Sequence, residues 1–422
     1  MADTTGRPAR EHHIDGPERE HDIVVYGATG FVGRLLADYL ARHAPERTRI
    51  ALAGRSRKRL VQVRSELPAA AVDWPLVVAD AADRKELSAL AASTRVIVTT
   101  VGPYARYGLP LGTACAEAGT HYADLTGEVL YVRDLAVACH DTAVRTGARI
   151  VTSCGFDSVP SDLGVLMLHE QAQGDGAGGL GDTTLLVTRM RGGFSGGTID
   201  SMRSQLEAVA ADPSRRADVV DPYGLSPDRE ADPSGKGDGD ILRPYRDVAT
   251  GQWTAPFVMS PFNTRIVRRS NALLDHAYGP AFRYREAMGF GTDLRARATA
   301  LGVTAGLGLG MAAMSNPLTR PLVDRVLPSP GEGPAEEARV KGRFRMELRT
   351  TTDSGARYVA VVAAKGDPGY AATAVMLGES ALCLALDPLT SGGGVLTPAV
   401  AMGAALVARL RAQDFTMTVE RE

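Results

Sequence analysis

The stretch DIVVYGATGFVGRLLADYLARHA, residues 22–44, decides the fold. A run that favours extended chain ends on glycine, and the glycine-rich turn opens directly into LLADYLARHA, whose apolar residues return with a helical period. Gly27 permits a tight turn, Gly30 lets the backbone approach a pyrophosphate, and Gly33 lets the helix pack closely on the strand. The start of such a helix adds unpaired N–H groups and a partial positive charge, both suited to phosphate. Gly27, Thr29, Gly30, Phe31, Val32 and Gly33 are therefore the first candidates for cofactor binding. A purely structural turn is the competing explanation; the strand before it and the helix after it count against that.

Further along, RIALAG (49–54), WPLVVAD (74–80), RVIVTT (95–100) and ARIVTSC (148–154) repeat the short apolar run, with room for a helix between them. Apolar strands alternating with helices predict a parallel sheet covered on both faces: a Rossmann-type, doubly wound α/β domain over residues 21–155. The second strand ends Gly54-Arg55-Ser56-Arg57-Lys58. An NAD site places a carboxylate there for the ribose hydroxyls, whereas Arg55 and Ser56 suit a ribose 2′-phosphate, which makes NADP the expected cofactor. The plainer alternative for Arg55 is the basic start of a solvated helix. Asp80, closing the third strand, is placed to meet the adenine edge, and Val101, Gly102 and Pro103, after the fourth, to run beside the nicotinamide.

Beyond residue 155 the rhythm changes. TTLLVTRMRG (183–192) reads as a strand, TIDSMRSQLEAVAAD (198–212) as a helix, and 340–366 as two strands about a turn at Asp353-Ser354-Gly355. Pro213 to Gly251, rich in Pro, Gly and Asp, predicts a long surface loop. Two helices close the chain: Ala371 to Leu386, and one starting at Thr397-Pro398 with Thr as N-cap and Pro as first helical residue. The expected division is a disordered tail at 1–20, a dinucleotide-binding domain at 21–155, an α+β substrate domain at 156–368 and C-terminal helices at 369–422.

The chain has 422 residues, with 47 Lys+Arg against 49 Asp+Glu and a formal net charge of −2, a balance that argues against a nucleic-acid partner. Cys115, Cys139, Cys154 and Cys383 stand far apart without a CxxC, so neither a disulfide framework nor a zinc site is expected, and a reducing cytoplasm fits best. Cys154, ending an apolar strand, reads as a buried core thiol. His121 and His140 lack a second ligand at metal spacing, and no metal is expected. The first twenty residues hold no apolar core for a signal peptide. Ala298–Thr319 and Pro388–Ala408 are free of charge for about the length of a membrane span. Their Gly, Ala, Ser and Thr predict buried or interfacial helices and no transmembrane span. For 298–319, glycines at 302, 306 and 310 share one helix face; burial in the chain's own core is expected, with peripheral membrane contact or a homodimer face left open.

GATGFVG (27–33), VGPYARYG (101–108), AGTHYADLTGE (118–128), CGFDSVPSDLG (154–164), GDPGYAATAVMLGESALCLA (366–385) and GVLTPAVAMG (394–403) together resemble the saccharopine dehydrogenase-like oxidoreductases. More narrowly they resemble the actinobacterial branch of trans-acting enoyl reductases. That resemblance implies C-terminal helices that return to the first domain, and an NADPH-dependent reduction of an α,β-unsaturated acyl chain made by a partner polyketide synthase. It also implies that Asp124 stands on the substrate side. In one respect the chain departs from amino-acid-forming relatives: where they have Asp-Pro-Gly, it has Asp157-Ser158-Val159-Pro160, which counts against a C–N bond of an amino-acid-type substrate.

Reducing a conjugated thioester needs donors for an enolate oxygen and an acid for the α-carbon. Tyr104 and Tyr107, just past the strand beside the nicotinamide, are candidates, as loop aromatics that either pack or donate. Asp124, with Thr126 and Glu128, is expected on a loop facing the same cleft, to orient substrate or to cap a helix. Two other function classes compete. Gly193-Phe194-Ser195-Gly196-Gly197 matches a nucleophile elbow, but the chain offers only His276 after it and a hydrolase leaves the dinucleotide unit unexplained. A non-catalytic NADP-binding protein on lipid surfaces is the other.

Overall fold

The computed structural model describes residues 19–192, 196–233, 238–316, 318–319 and 333–422. Its first unit runs β1 (His21–Tyr26), α1 (Phe31–His43), β2 (Ile50–Gly54), α2 (Arg57–Glu66), β3 (Leu76–Val78), α3 (Arg84–Ser93), β4 (Thr94–Thr99), α4 (Tyr104–Ala118), β5 (His121–Ala123), α5 (Val129–Thr146) and β6 (Arg149–Val151). Every residue of β1 is buried, as a central strand covered on both faces requires. Val24 stands opposite Ala51 of β2 and Ile97 of β4, all parallel. The second unit comprises α6 (Val159–Gly174), β7 (Leu180–Arg191), α7 (Gly196–Ala211), α8 (Arg216–Val220), β8 (Tyr245–Arg246), β9 (Trp253–Pro256), α9 (Ser260–Leu273), β10 (Arg283–Gly289), α10 (Leu294–Ser315), α11 (Glu336–Val340), β11 (Arg343–Thr352) and β12 (Arg357–Lys365). The chain closes with α12 (Ala371–Leu386), β13 (Gly394–Leu396), α13 (Pro398–Ala412) and β14 (Thr416–Arg421).

Two seven-stranded sheets result. The first is parallel in the order β13-β6-β5-β4-β1-β2-β3; the second is mixed, in the order β14-β12-β11-β7-β10-β9-β8. The α/β expectation, the second α+β layer and the return of the C-terminal helices are all met. Thr397 caps α13 by accepting the Val400 N–H, and α12 lies on α1, β4 and β5. The first sheet holds two more strands than expected. β5 is three residues of HYA, too short to show a pattern, and β13 follows a triple glycine that reads as loop. One apolar cluster runs from Ile23 and Leu36 through Met376 and Leu382 to Leu348 and Val362, so both sheets share a core.

One expectation is refined and one is overturned. The segment from Pro213 to Gly251 lies mostly at the surface, as expected, but its described residues are anchored: Tyr223 and Leu225 are buried, and arginines of α9 hold the Leu225 and Asp238 carbonyls. Arg269 donates to the Leu225 and Val395 carbonyls, both at 2.7 Å, and Arg268 to those of Asp238 and Tyr284, both at 2.8 Å. Buried amphipathic arginines replace the apolar periodicity that the segment lacks. The 298–319 stretch is not a core helix. α10 packs on β9 through its first two turns, where Ala296 and Ala300 are buried, and then runs on with no element among the described residues covering it. Leu309 is 73% exposed, and a Cβ added at Gly302, Gly306, Gly308 or Gly310 would meet nothing within 4 Å. No described helix is long and apolar enough to cross a membrane.

The shared core makes a measurable demand. Leu382→Ala, at a fully enclosed site on α12, should cost about 2–5 kcal/mol. Urea unfolding followed at Trp74 in the first unit and at Trp253 in the second should still give coincident transitions, shifted together.

Candidate active site

The turn after β1 is shaped by backbone contacts. Gly27 has φ of +88°, and a Cβ there would stand 2.8 Å from Val101 Cγ2. At Gly33 an added Cβ would lie 2.2 Å from the Gly27 carbonyl oxygen, so α1 can sit this close to the turn only without a side chain. Gly30 closes the turn by donating its N–H to the Gly27 oxygen at 2.9 Å. As the α1 N-cap it offers no side-chain cap, and the first helical turn carries no acid. The amides of residues 31–33 thus have no intrahelical acceptor and the helix end is open to an anion. This cradle fits the pyrophosphate of a dinucleotide.

The other cofactor candidates gather along the same C-terminal sheet edge, as in doubly wound folds generally. Thr29 adjoins the end of β2: a Cβ on Gly54 would lie 3.9 Å from its Oγ1. Arg55 is exposed, and Ser56 caps α2 by accepting the Arg59 N–H at 3.4 Å. Asp80, also exposed past β3, accepts the Ala82 N–H at 2.9 Å, while its own N–H donates to Glu86 at 2.7 Å. Val101, Gly102 and Pro103 follow β4 directly against the glycine turn.

A cavity of about 210 Å³ opens at that turn. Phe31 and Val32 form one wall, Gly102, Pro103 and Tyr104 the next, and Gly155, Phe156 and Asp157 the floor after β6. The second unit and α12 close it with Asp200, Ser201, Met259, Tyr370 and Thr373. The Phe31 and Tyr370 rings meet edge to face at 5.1 Å, and the Arg339 guanidinium lies 5.2 Å from the Phe31 centroid, so the second half of the chain grips the cofactor turn.

Residues 23–151 match the saccharopine dehydrogenase NADP-binding domain. A trans-acting enoyl reductase of Mycobacterium tuberculosis is 49% identical over 415 residues, covering 96% of this chain and 99% of that one. A second Mycobacterium tuberculosis protein is 52% identical over 413 residues, 96% of this chain and 98% of its own length. The chain belongs to the trans-acting enoyl reductase family. Its cofactor is NADP, and it is an oxidoreductase of saccharopine dehydrogenase-like build. In fold it is similar to apo saccharopine dehydrogenase (L-Glu forming) from Saccharomyces cerevisiae, with a TM-score of 0.53, 11% identity, and coverage of 95% of this chain and 99% of that one.

Within this family member, the three residues expected to do chemistry part company. Tyr104 lines the cavity with its ring, but its hydroxyl is bound behind the wall: it donates to the Thr99 carbonyl and accepts the Leu125 N–H, both at 3.2 Å. Burial holds that phenol well above its ordinary range. Tyr107, one turn on, is 41% exposed and lies outside the cavity lining. Asp124 does not face the cleft. It is fully buried and accepts the Ser153 N–H at 2.8 Å, the Thr126 N–H at 3.0 Å and the Tyr122 hydroxyl at 2.9 Å. Burial pushes its carboxyl up to about 6 against those three donors. In this place it braces the turn after β6, where Ser153 has φ of +65°.

Glu128 caps α4, taking the Tyr104 and Ala105 N–H groups at 2.9 and 2.8 Å and the Ser201 hydroxyl at 2.8 Å, and Thr126 accepts the Glu128 N–H. His121 accepts the Arg149 N–H at 3.0 Å, and burial lowers it to about 4; His140 accepts the Val395 N–H at 3.2 Å. Cys154 is a buried thiol that burial pushes up. Gly193, Phe194 and Ser195 of the elbow-like motif lie outside the described residues.

Sequence reasoning passed over Asp157 as a site residue, along with Asp200, Ser201 and Tyr370. Asp157 carried a legible signal: a lone charge in the apolar run CGFDSVP, just past a strand end. The other three come from distant segments that only folding brings to the cofactor turn.

Gly33→Ala tests the close approach. A methyl group driven into the Gly27 carbonyl must displace α1, so NADPH affinity should fall by at least tenfold in a fluorescence titration, with about 1–3 kcal/mol lost from stability.

Proposed function

We propose that the protein reduces the α,β double bond of an acyl thioester, using NADPH, on a chain made by a separate synthase. The observation that carries this reading is the composition of the cleft. Among the described residues that line it there is no Arg, Lys or His, while Phe31, Phe156, Met202, Met259 and Tyr370 supply apolar surface beside the cofactor turn. An amino-acid-type substrate brings carboxylates into a partly desolvated site, where they need cationic partners that the described lining of the cleft does not offer. An acyl thioester needs apolar contact and a few aimed donors.

Bound NADPH would supply hydride to the β-carbon. The chain's own residues would hold the acyl group against Phe156 and Met259, keep water from the reacting carbons, and deliver a proton to the α-carbon. Gly27, Thr29, Gly30, Phe31, Val32 and Gly33 would seat the pyrophosphate, Asp80 the adenine side, Arg55 and Ser56 the 2′-phosphate, and Val101, Gly102 and Pro103 the nicotinamide edge. The phrase "trans-acting" in the relatives' names favours an acyl donor outside this chain. The uncharged, exposed part of α10 is the surface on which we place any peripheral contact with lipid.

Loss of reduced-nicotinamide absorbance with an enoyl thioester, and none with lysine plus a 2-oxo acid, is the expected result; the reverse would replace this substrate class with an imine-forming one. In the same assay Arg55→Ala should raise KM for NADPH about 10- to 100-fold and leave that for NADH nearly unchanged. Equal effects on both would remove Arg55 from the 2′-phosphate.

A further inference from the structure

The buried acids of this molecule are nearly all spoken for. Asp162 accepts the Ser270 hydroxyl and the Ala399 N–H, and Glu286 accepts the Tyr284 hydroxyl at 2.8 Å and the Asn263 amide at 3.0 Å. Asp124 and Glu128 have three donors each, as described above. Asp157 differs: half-buried in the floor of the cleft, its carboxyl makes no hydrogen bond or ion pair among the described residues.

Its position is set by its backbone neighbours. Phe156 donates its N–H to Thr373 Oγ1 at 3.1 Å and packs edge to face on Phe344 at 4.9 Å. On the other side Ser158 donates its hydroxyl to the Asp157 carbonyl at 2.6 Å. Between these clamps the side chain is aimed past Gly127, where a Cβ would lie 3.8 Å from Asp157 Oδ2. Gly127 thus borders the carboxyl at ordinary contact distance.

Three other polar groups in the cleft already hold partners. The Tyr104 hydroxyl is tied to Thr99 and Leu125, Ser201 donates to Glu128, and the Tyr370 hydroxyl accepts the Gly196 N–H at 3.2 Å. Among the described residues the charged groups in or beside the cleft are the carboxyls of Asp200 from α7 and Glu128 behind Ser201, and the Arg339 guanidinium on the outer side of Phe31.

We propose that Asp157 is the acid that protonates the α-carbon of the acyl substrate. The assignment rests on the reductase reading above. Asp157 gives up its O–H proton as the α C–H bond forms, and solvent at the mouth of the cleft restores it. The substrate gains one hydride from NADPH and one proton from Asp157, so its double bond is reduced and the cofactor oxidised. Burial, with no charged neighbour needed, pushes the Asp157 carboxyl up to about 7, which keeps a large protonated fraction near neutral pH.

The test uses the full chain and two variants, Asp157→Asn and Asp157→Ser, with NADPH binding as proof of fold. NADPH affinity should stay within about twofold of wild type while turnover of an enoyl thioester falls about 100- to 10,000-fold. In cofactor-free protein, a carboxyl ¹³C resonance that titrates near neutral pH should be missing from both variants. Native Asp157 keeps its proton to higher pH than the unfolded chain does. Wild-type stability therefore drains away between about pH 4 and pH 7, and Asp157→Asn should melt higher than wild type at about pH 8 but not at about pH 4. Turnover within threefold of wild type in either variant, or an Asp157 midpoint in the ordinary aspartate range, overturns the assignment and leaves the reductase reading standing. A wild type that reduces no enoyl thioester removes both.

Discussion

Everything in this molecule is referred to one close approach, that of Gly33 on α1 to the Gly27 carbonyl. With no side chain between them, the helix starts almost on top of the strand end, and its partial positive charge of roughly half an elementary unit is delivered to the sheet edge. Gly27, held at φ of +88° against Thr100 and Val101, locks the same turn to the end of β4. The glycine turn and the loop after β4, on which we place the pyrophosphate and the nicotinamide edge, are thereby held against each other.

The second unit contributes the far wall, and buried polar groups attach it. Arg268 and Arg269 of α9 draw in the segment after α7, and Asp162 joins α6, α9 and α13 through Ser270 and the Ala399 amide. Each of these groups is desolvated, and each is compensated by hydrogen bonds that would be costly to leave unmade. The C-terminal segment completes the closure, since β13 joins the parallel sheet while β14 joins the mixed one. Neither sheet can shift far without dragging the other, and the cleft between them keeps its shape.

Against this background of satisfied acids, an unsatisfied one in the cleft floor is informative. Desolvating a carboxyl without donors costs on the order of a few kcal/mol at neutral pH. Such a cost is tolerable at a site where a protonated acid is useful, and hard to rationalise where it is not. Asp124, by contrast, has the burial of a catalytic acid and the hydrogen bonds of a brace. It holds Ser153 in the left-handed region and so sets the turn from which Asp157 projects.

How much of this was legible follows the range of the interactions. The glycine turn, the strands over 22–26, 49–54 and 95–100, the hairpin about residues 353–355 and the Thr397 cap depend on contacts within a few residues, so their chemistry is written into the local pattern. The family resemblance added the return of the C-terminal helices. Other features depend on partners far away in the chain. HYA becomes β5 because β4 and β6 flank it, and the Leu225 and Asp238 carbonyls are held by arginines that look like a solvated helix face. Asp124 turns inward because Ser153 and Tyr122 supply its donors. The uncharged 298–319 stretch shows the converse: local composition predicted burial, but among the described residues no element extends far enough to cover it. Sequence alone determined the cofactor turn and the layer order, because backbone geometry and apolar period are local. Which acid faces the cleft was decided only in three dimensions, because desolvation depends on everything that packs around a group.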